Sequence, residues 1–487
     1  MDAIFLSSCV PKTLTTLFRP LGPYQVAWYL RENGYDVQVL EFVYRKTEEE
    51  IFNLIKKFST PNTKVLGMGL MINLDDPTMG VIIKKIENVL RRVRLEFPQM
   101  KIITGGPAAP IWSRLHRNKT LFDYIINGHG EDTVLALMNH LYKGSPHPQF
   151  EIIDGNKYIR ESFKMPLEKF FDITKRGHRW HKNDCIQPNE SLPLELGRGC
   201  IFKCKFCRYP YTGKSKNDFT RDMKCVKEEL IENYNNWGVT NYYMLDDTFN
   251  ADQSRMKDFY NMTQTLPFKI KYATYLRTDL LHAHPDTQYM LLESGLKGCY
   301  LGIETFNQES ADLISKSWSP KAKEYLPKLH FDIWKDQVNT QVGFIAGLPP
   351  ETYDDLQKTN QWCMEHKMSS WVWHALSINR DAHYEFKSDF DLNAEKYGFR
   401  WVVNDGKPMW VTDYCTREQA LQWEIKLKEE SKIYQRLGCW YLMELGNYGY
   451  DIEVMRWITQ VNMPWKEINV KRYQFLTNYF NDLAMLV

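Results

Sequence analysis

No apolar run in this chain approaches the ~18 residues that a membrane-spanning helix needs, so no contact with a membrane is expected. The opening Met1-Asp-Ala-Ile-Phe has no basic segment leading into a long apolar core, and a secretory signal is not expected either. Excess charge of one sign is also missing. A formal net charge of +2 over 487 residues favours neither nucleic acid nor an anionic membrane as a bulk partner. Ten cysteines in a chain of this size do not make a disulfide framework. There is no internal repeat and no low-complexity segment. With 43% apolar residues, the length allows two or three domains with ordinary cores.

What stands out is one short stretch, Glu195-Leu-Gly-Arg-Gly-Cys200-Ile-Phe-Lys-Cys204-Lys-Phe-Cys207, with three cysteines spaced by three residues and then two. The mostly apolar run Leu192 to Leu196 leads into it. Three thiolates suit an iron–sulfur cluster, whose irons take cysteine sulfur, usually from four residues. The fourth local cysteine is missing, which leaves one iron open to an outside ligand. Two other readings stand beside this one: a zinc site, or three unrelated thiols. Zinc wants a fourth nitrogen or sulfur ligand at conventional spacing, and no Cys-x2-Cys partner is found. An oxygen-sensitive cluster fits a reducing cytoplasm.

Around this stretch, short apolar strands alternate with helix-length amphipathic segments, the pattern of an α/β protein with parallel sheets. Residues 1–145 read as a Rossmann-like sheet. Its strands are expected at Ala3 to Ser7, Asp36 to Phe42, Val65 to Ile72, Lys101 to Thr104 and Tyr124 to Asn127. Ligands on such sheets lie at the carboxyl ends of the strands, here the loops Ser8–Pro23, Asn73–Thr78, Gly105–Pro110 and Gly128–Asp132. Residues 146–190 lack periodicity and read as a connector, solvated around Lys175-Arg-Gly-His-Arg-Trp-His-Lys182. Residues 191–385 read as six strands, all but the last followed by helical sequence, a partial (β/α)6 barrel whose chemistry gathers at the C-terminal strand ends. Residues 386–487 read as mostly helical and aromatic-rich, with eight of the fifteen tryptophans after residue 370.

The cysteine spacing resembles that of the radical S-adenosylmethionine (SAM) enzymes. The resemblance implies a [4Fe-4S] cluster on Cys200, Cys204 and Cys207, with SAM on the open iron. Reductive cleavage of SAM then gives a 5'-deoxyadenosyl radical that takes hydrogen from a substrate C–H. It implies that Phe206 lies next to the adenine and that Asp246 and Asp247 meet the SAM ammonium. Arg277 would pair with the carboxylate and Glu304 would contact the ribose or amino group. The glycines of Gly343-Phe-Ile-Ala-Gly347 would let adenine approach the backbone. A helix N-cap for the aspartates and an Arg277–Asp279 pair are the plainer alternatives. The N-terminal order resembles the cobalamin-binding domain fused to many radical SAM domains, through Gly67-Met-Gly-Leu-Met, Gly105-Gly106-Pro107 and Asn127-Gly-His-Gly-Glu131. No Asp-x-His-x-x-Gly segment is present to give a histidine to cobalt, and His129 reads as a turn residue.

Implied partners are an external electron donor of the flavodoxin or ferredoxin type and a substrate that is a small molecule or nucleotide. The expected function is radical SAM chemistry with cobalamin-dependent methyl transfer. The alternatives are a cobalamin-independent radical rearrangement and a non-catalytic metal-binding scaffold.

Overall fold

A computed structural model describes all residues except 8–16, 70–78, 107–120, 154–155, 161–170, 209–219, 381–386, 405 and 487. The expected ligand loops after the first, third and fourth strands lie wholly or largely outside the described residues, as does the basic stretch Gly213 to Arg221 apart from its last two residues. Two compact units form, residues 1–188 with 473–487, and residues 189–472.

The first unit is built on β1 (Ala3–Leu6), β2 (Val37–Leu40), β3 (Val65–Gly69), β4 (Lys101–Gly105), β5 (Tyr124–Asn127), β6 (Glu151–Ile153) and β7 (Asn156–Arg160). The sheet order is β2-β1-β3-β4-β5-β7-β6, parallel except for the β6–β7 pair. β1 and β2 are buried along their whole length, as strands covered on both faces must be. The chain steps outward from β1 to β2 and returns past β1 to β3, so the order reverses between β1 and β3. Ligands of open α/β sheets bind at that point. Helices follow at Leu21–Glu32, Glu48–Phe58, Met79–Glu96 and Glu131–Lys143. Glu48–Phe58 begins in a capping box of Thr47 and Glu50, carries three acids in its first turn and ends on Lys56 and Lys57. Each of these stabilises a helix end.

The connector differs from expectation. Residues 151–160 add the β6–β7 hairpin to the sheet. His178 and Trp180 are buried, with Trp180 4.7 Å from the Tyr24 ring. Asp184 is buried and pairs with Arg31 at 2.8 Å. This segment was expected to be solvated; its aromatic rings instead find apolar partners on helix Leu21–Glu32.

The second unit holds β8 (Leu192–Leu194), β9 (Asn241–Met244), β10 (Lys271–Leu276), β11 (Leu296–Glu304), β12 (Asn339–Ala346) and β13 (Ser370–Ala375). They form one parallel sheet in sequential order, β13-β12-β11-β10-β9-β8, the order of an incomplete (β/α) barrel. The helices between them include Met223–Trp237, Gln253–Gln264, Pro285–Glu293 and Tyr353–Glu365. The C-terminal part is not all helical. β14 (Arg400–Asn404) and β15 (Lys407–Val411) make an antiparallel hairpin, and helix Arg417–Ser431 ends well before Gly438.

The short helix Cys439–Leu445 closes the N-terminal end of the barrel. Ser191 Oγ donates to Met443 O at 2.7 Å, Asn339 Nδ2 to Leu437 O at 3.2 Å, and Cys439 N to Gln341 Oε1 at 3.1 Å. Ser191 and Asn339 stand at the starts of β8 and β12, so this helix crosses the floor of the barrel.

Candidate active site

The three cysteines lie in the loop after β8, at the C-terminal edge of the sheet, as half-buried thiols outside any disulfide. The loop is tied at both ends. Leu196 N donates to Asp246 Oδ2 at 2.9 Å, and Arg221 returns with its amide to Leu196 O at 2.8 Å. The Arg221 guanidinium reaches Glu195 O and is paired in the interior with Glu229 at 2.6 Å. Within the loop, Cys207 N bonds Cys204 O at 3.1 Å. Cys200 Sγ lies 3.3 Å from Thr248 Oγ1. Burial pushes the Cys200 thiol up, against the Thr248 hydrogen bond that lowers it.

Asp246 is buried, and its carboxylate is committed within the protein: Arg255 Nη1 donates to Oδ1 at 2.7 Å and Leu196 N to Oδ2. The expectation that Asp246 meets an ammonium is therefore corrected. It fastens β8 to β9 instead.

Arg277, just past β10, turns its fork onto Asp279, Nε at 3.0 Å and Nη2 at 2.6 Å. This is the plainer alternative, though the pair is largely buried and not on the surface. Nη1 reaches Cys204 Sγ at 3.7 Å, and the guanidinium lies 3.7 Å above the Phe202 ring. Burial opposes its charge, but Asp279 and the Cys204 thiol more than offset this and hold the guanidinium protonated.

Glu304 ends β11 with φ at +72°, a left-handed backbone that strains a non-glycine residue. Its carboxylate takes Lys316 Nζ at 2.9 Å, and the same ammonium bonds Gly302 O at 2.7 Å. Arg277, Asp279, Lys316 and the serines Ser315, Ser317 and Ser319 line a polar pocket of about 110 Å³ at the ends of β10 and β11.

Gly343 of β12 and Gly347, just beyond its end, have packing reasons. A Cβ at Gly343 would overlap the Tyr300 ring, and one at Gly347, where φ is +97°, would meet Trp410 at 2.8 Å. The space expected for adenine is thus filled at both positions by protein side chains. Phe206 packs against the core formed by Ile345, Leu348 and Leu376. Gly105 and Gly106 close β4 in the first unit, Gly106 at φ +95°.

Sequence reasoning missed the supports of the cysteine loop. Arg208 holds Asp391 with two hydrogen bonds, at 2.8 and 2.7 Å, and Lys205 pairs with Asp389 at 2.9 Å. Lys316 was missed too. Its only sequence signal is a lone cation in Ser315-Lys316-Ser317. Among the described residues, no three His, Cys, Asp or Glu side chains are gathered closely enough to hold a single metal ion.

Residues 194–363 match the model of the Radical SAM superfamily. This stretch is a radical SAM domain. Two curated proteins are similar to the chain. Bacteriochlorophyllide d C-8(2)-methyltransferase of Chlorobaculum tepidum is 24% identical over 37% of this chain and 41% of its own length. tRNA-2-methylthio-N(6)-dimethylallyladenosine synthase of Buchnera aphidicola is 23% identical over 60% of this chain and 66% of its own length. The chain therefore spans less than half of the first relative. Among solved structures, the radical SAM methyltransferase TsrM of Kitasatospora setae, with tryptophan and a SAM analogue bound, matches at TM-score 0.65 and 13% identity. That match covers 84% of this chain and 80% of TsrM. The cobalamin-dependent SAM radical enzyme OxsB, with aqua-cobalamin and SAM bound, matches at TM-score 0.57 and 14% identity over 98% of this chain and 71% of OxsB. The fold around the radical SAM domain is shared with these enzymes.

Proposed function

We propose that this chain is a radical SAM enzyme that abstracts hydrogen from a substrate C–H and transfers a methyl group to that carbon with the help of cobalamin. The observation that carries the reading is the set of three half-buried thiols at the C-terminal edge of a parallel sheet, one of them faced by the Arg277 guanidinium. Bound groups would supply an electron and an open iron for cleaving the sulfonium, and a carrier for the methyl. The remaining work falls to this chain's own residues. Cys200, Cys204 and Cys207 hold the cluster, and Arg277 balances the negative charge of the Cys204 sulfur. Lys316, in its polar pocket, takes over the carboxylate-pairing role first expected of Arg277. Asp247 accepts from the ammonium, Glu304 steadies Lys316 while facing the ribose or amino group, and Phe206 presents a ring to the adenine.

For cobalamin, the described strand ends of the first sheet offer glycines. β3 ends in Gly69, β4 in Gly105-Gly106, and Gly128 follows β5. Among the described residues, a Cβ on Gly105 would meet Ile126 at an ordinary 3.5 Å. Backbone free of side chains lets a wide planar ligand approach. An external one-electron donor of the flavodoxin or ferredoxin class is required, the substrate class is a small molecule or nucleotide, and the setting is a reducing cytoplasm. Among the described residues no helix is long and apolar enough to cross a membrane.

Anaerobically reconstituted protein with dithionite and SAM should release 5'-deoxyadenosine, and Cys204→Ala should not. Equal product from both would refute the cluster assignment. Failure of the reconstituted protein to take up cobalamin would refute the methyl-transfer half alone.

A further inference from the structure

Below the cysteine loop the barrel interior holds two phenols and an indole that the reading above does not use. Tyr275 of β10 and Tyr300 of β11 are direct partners in the strand register. Their neighbours Thr274, Leu276, Cys299 and Leu301 are buried on the opposite face, while the two tyrosines are only partly covered, so alternation turns both rings into the interior. The rings stand 5.3 Å apart, and Trp440, from the helix that floors the barrel, lies 4.9 Å from Tyr275. Tyr300 lies across Gly343, where no larger residue fits. Tyr275 is close enough to Asp247 to feel its charge, and the next residue, Thr248, touches Cys200. Tyr300 feels Glu304 in the same way. Burial raises both phenols above their ordinary range, so each keeps its O–H hydrogen.

We propose that Tyr275 and Tyr300 form a quenching pair, donating a phenolic hydrogen atom to a carbon radical that finds no substrate in the barrel. The inference rests on the radical SAM reading. A phenol O–H bond is weaker than the C–H bond of a primary carbon, so transfer from oxygen to carbon runs downhill. The O–H bond of one tyrosine breaks, a C–H bond forms on the 5' carbon, and the unpaired electron stays on the phenoxyl oxygen. One electron from the same flavodoxin- or ferredoxin-class donor, with one proton from water, restores the phenol. The adjacent second ring and Trp440 share the oxidation meanwhile. The protein is then spared attack on its own aliphatic C–H bonds during idle turnover.

The test uses the full chain, reconstituted with its cluster, given SAM and limiting reductant in D2O without substrate. Wild-type 5'-deoxyadenosine should carry one solvent deuterium, taken from the exchanged phenol, and freeze-quenched samples should show a phenoxyl signal by electron paramagnetic resonance. Tyr275→Phe with Tyr300→Phe should lose the signal and most of the deuterium. Near- and far-ultraviolet circular dichroism and chemical denaturation of the cofactor-free proteins should show that the double variant has kept its fold. If the double variant does not fold, the single variants carry the test, each expected to weaken the signal. Product without deuterium in wild type, or deuterium unchanged in the variants, overturns the proposal. A wild type with iron and sulfide bound that yields no 5'-deoxyadenosine overturns the radical reading, and this inference with it.

Discussion

The two parallel sheets of this molecule prepare their carboxyl edges in opposite ways. In the second unit the strand ends carry reactive side chains: three thiols after β8, Asp247 after β9, Arg277 after β10, Glu304 on β11. In the first unit the described residues at three strand ends are glycines, Gly69, Gly105, Gly106 and Gly128. One edge can act on a ligand by charge and bonding, while glycines on the other let a ligand come near the backbone. Side chains that bind are kept in place by others that do not: Arg255, Arg221, Asp391 and Asp389 secure the cysteine loop and its strands.

The contrast is open to test. The largest effect is expected at Asp246. Asp246→Ala leaves the Arg255 guanidinium buried without its carboxylate, which should cost about 3–5 kcal/mol in chemical denaturation. A cost near that of a surface substitution would mean that the loop is not anchored there. Next comes Glu351, buried just beyond β12 and pushed by burial from the ordinary 4.5 up to about 8. The folded protein favours its neutral form, so its contribution is fully present below pH 4.5. It declines as pH rises, and is lost above about 8. Within that window the slope is about 1.4 kcal/mol per pH unit. Denaturation midpoints measured from pH 5 to 9 should therefore fall more steeply for wild type than for Glu351→Gln; parallel curves would exclude the linkage.

Smaller effects are expected in the first sheet. Gly67→Ala drives a methyl group into the Phe5 ring and should cost about 1–3 kcal/mol. Gly105→Ala meets only Ile126 at ordinary distance and should change stability by about 0.5 kcal/mol or less. Cobalamin uptake should drop in Gly105→Ala all the same. If stability falls and uptake holds, the glycine serves packing and the comparison loses its second half.

What could be seen in the sequence follows the same division. Helix Glu48–Phe58 was legible to the residue because its capping box and terminal charges are local. The thiols were legible from spacing alone. β6 and β7 were hidden by a proline-rich context and by their length of 3 and 5 residues, too short for a period to emerge. Helix Arg417–Ser431 stops short of Gly438 although the sequence in between is helix-prone, because Gln435 and Arg436 are drawn to distant partners, Trp371 N and Asp336, that local sequence does not announce. Arg277 with Asp279 was visible as an alternative because the partners are two residues apart. Arg208 with Asp391 was invisible because 183 positions separate them. Glycines of a ligand-binding edge look like glycines in any turn, and only the space around each one distinguishes Gly67 from Gly105.

Asp246 grips the amide of Leu196 with one oxygen and Arg255 with the other. A lineage of such proteins cannot replace either member of the ion pair by itself. Position 246 and position 255 should therefore change together among descendants, while the cysteines beside them stay constant, and a pair of substitutions would be inherited as one.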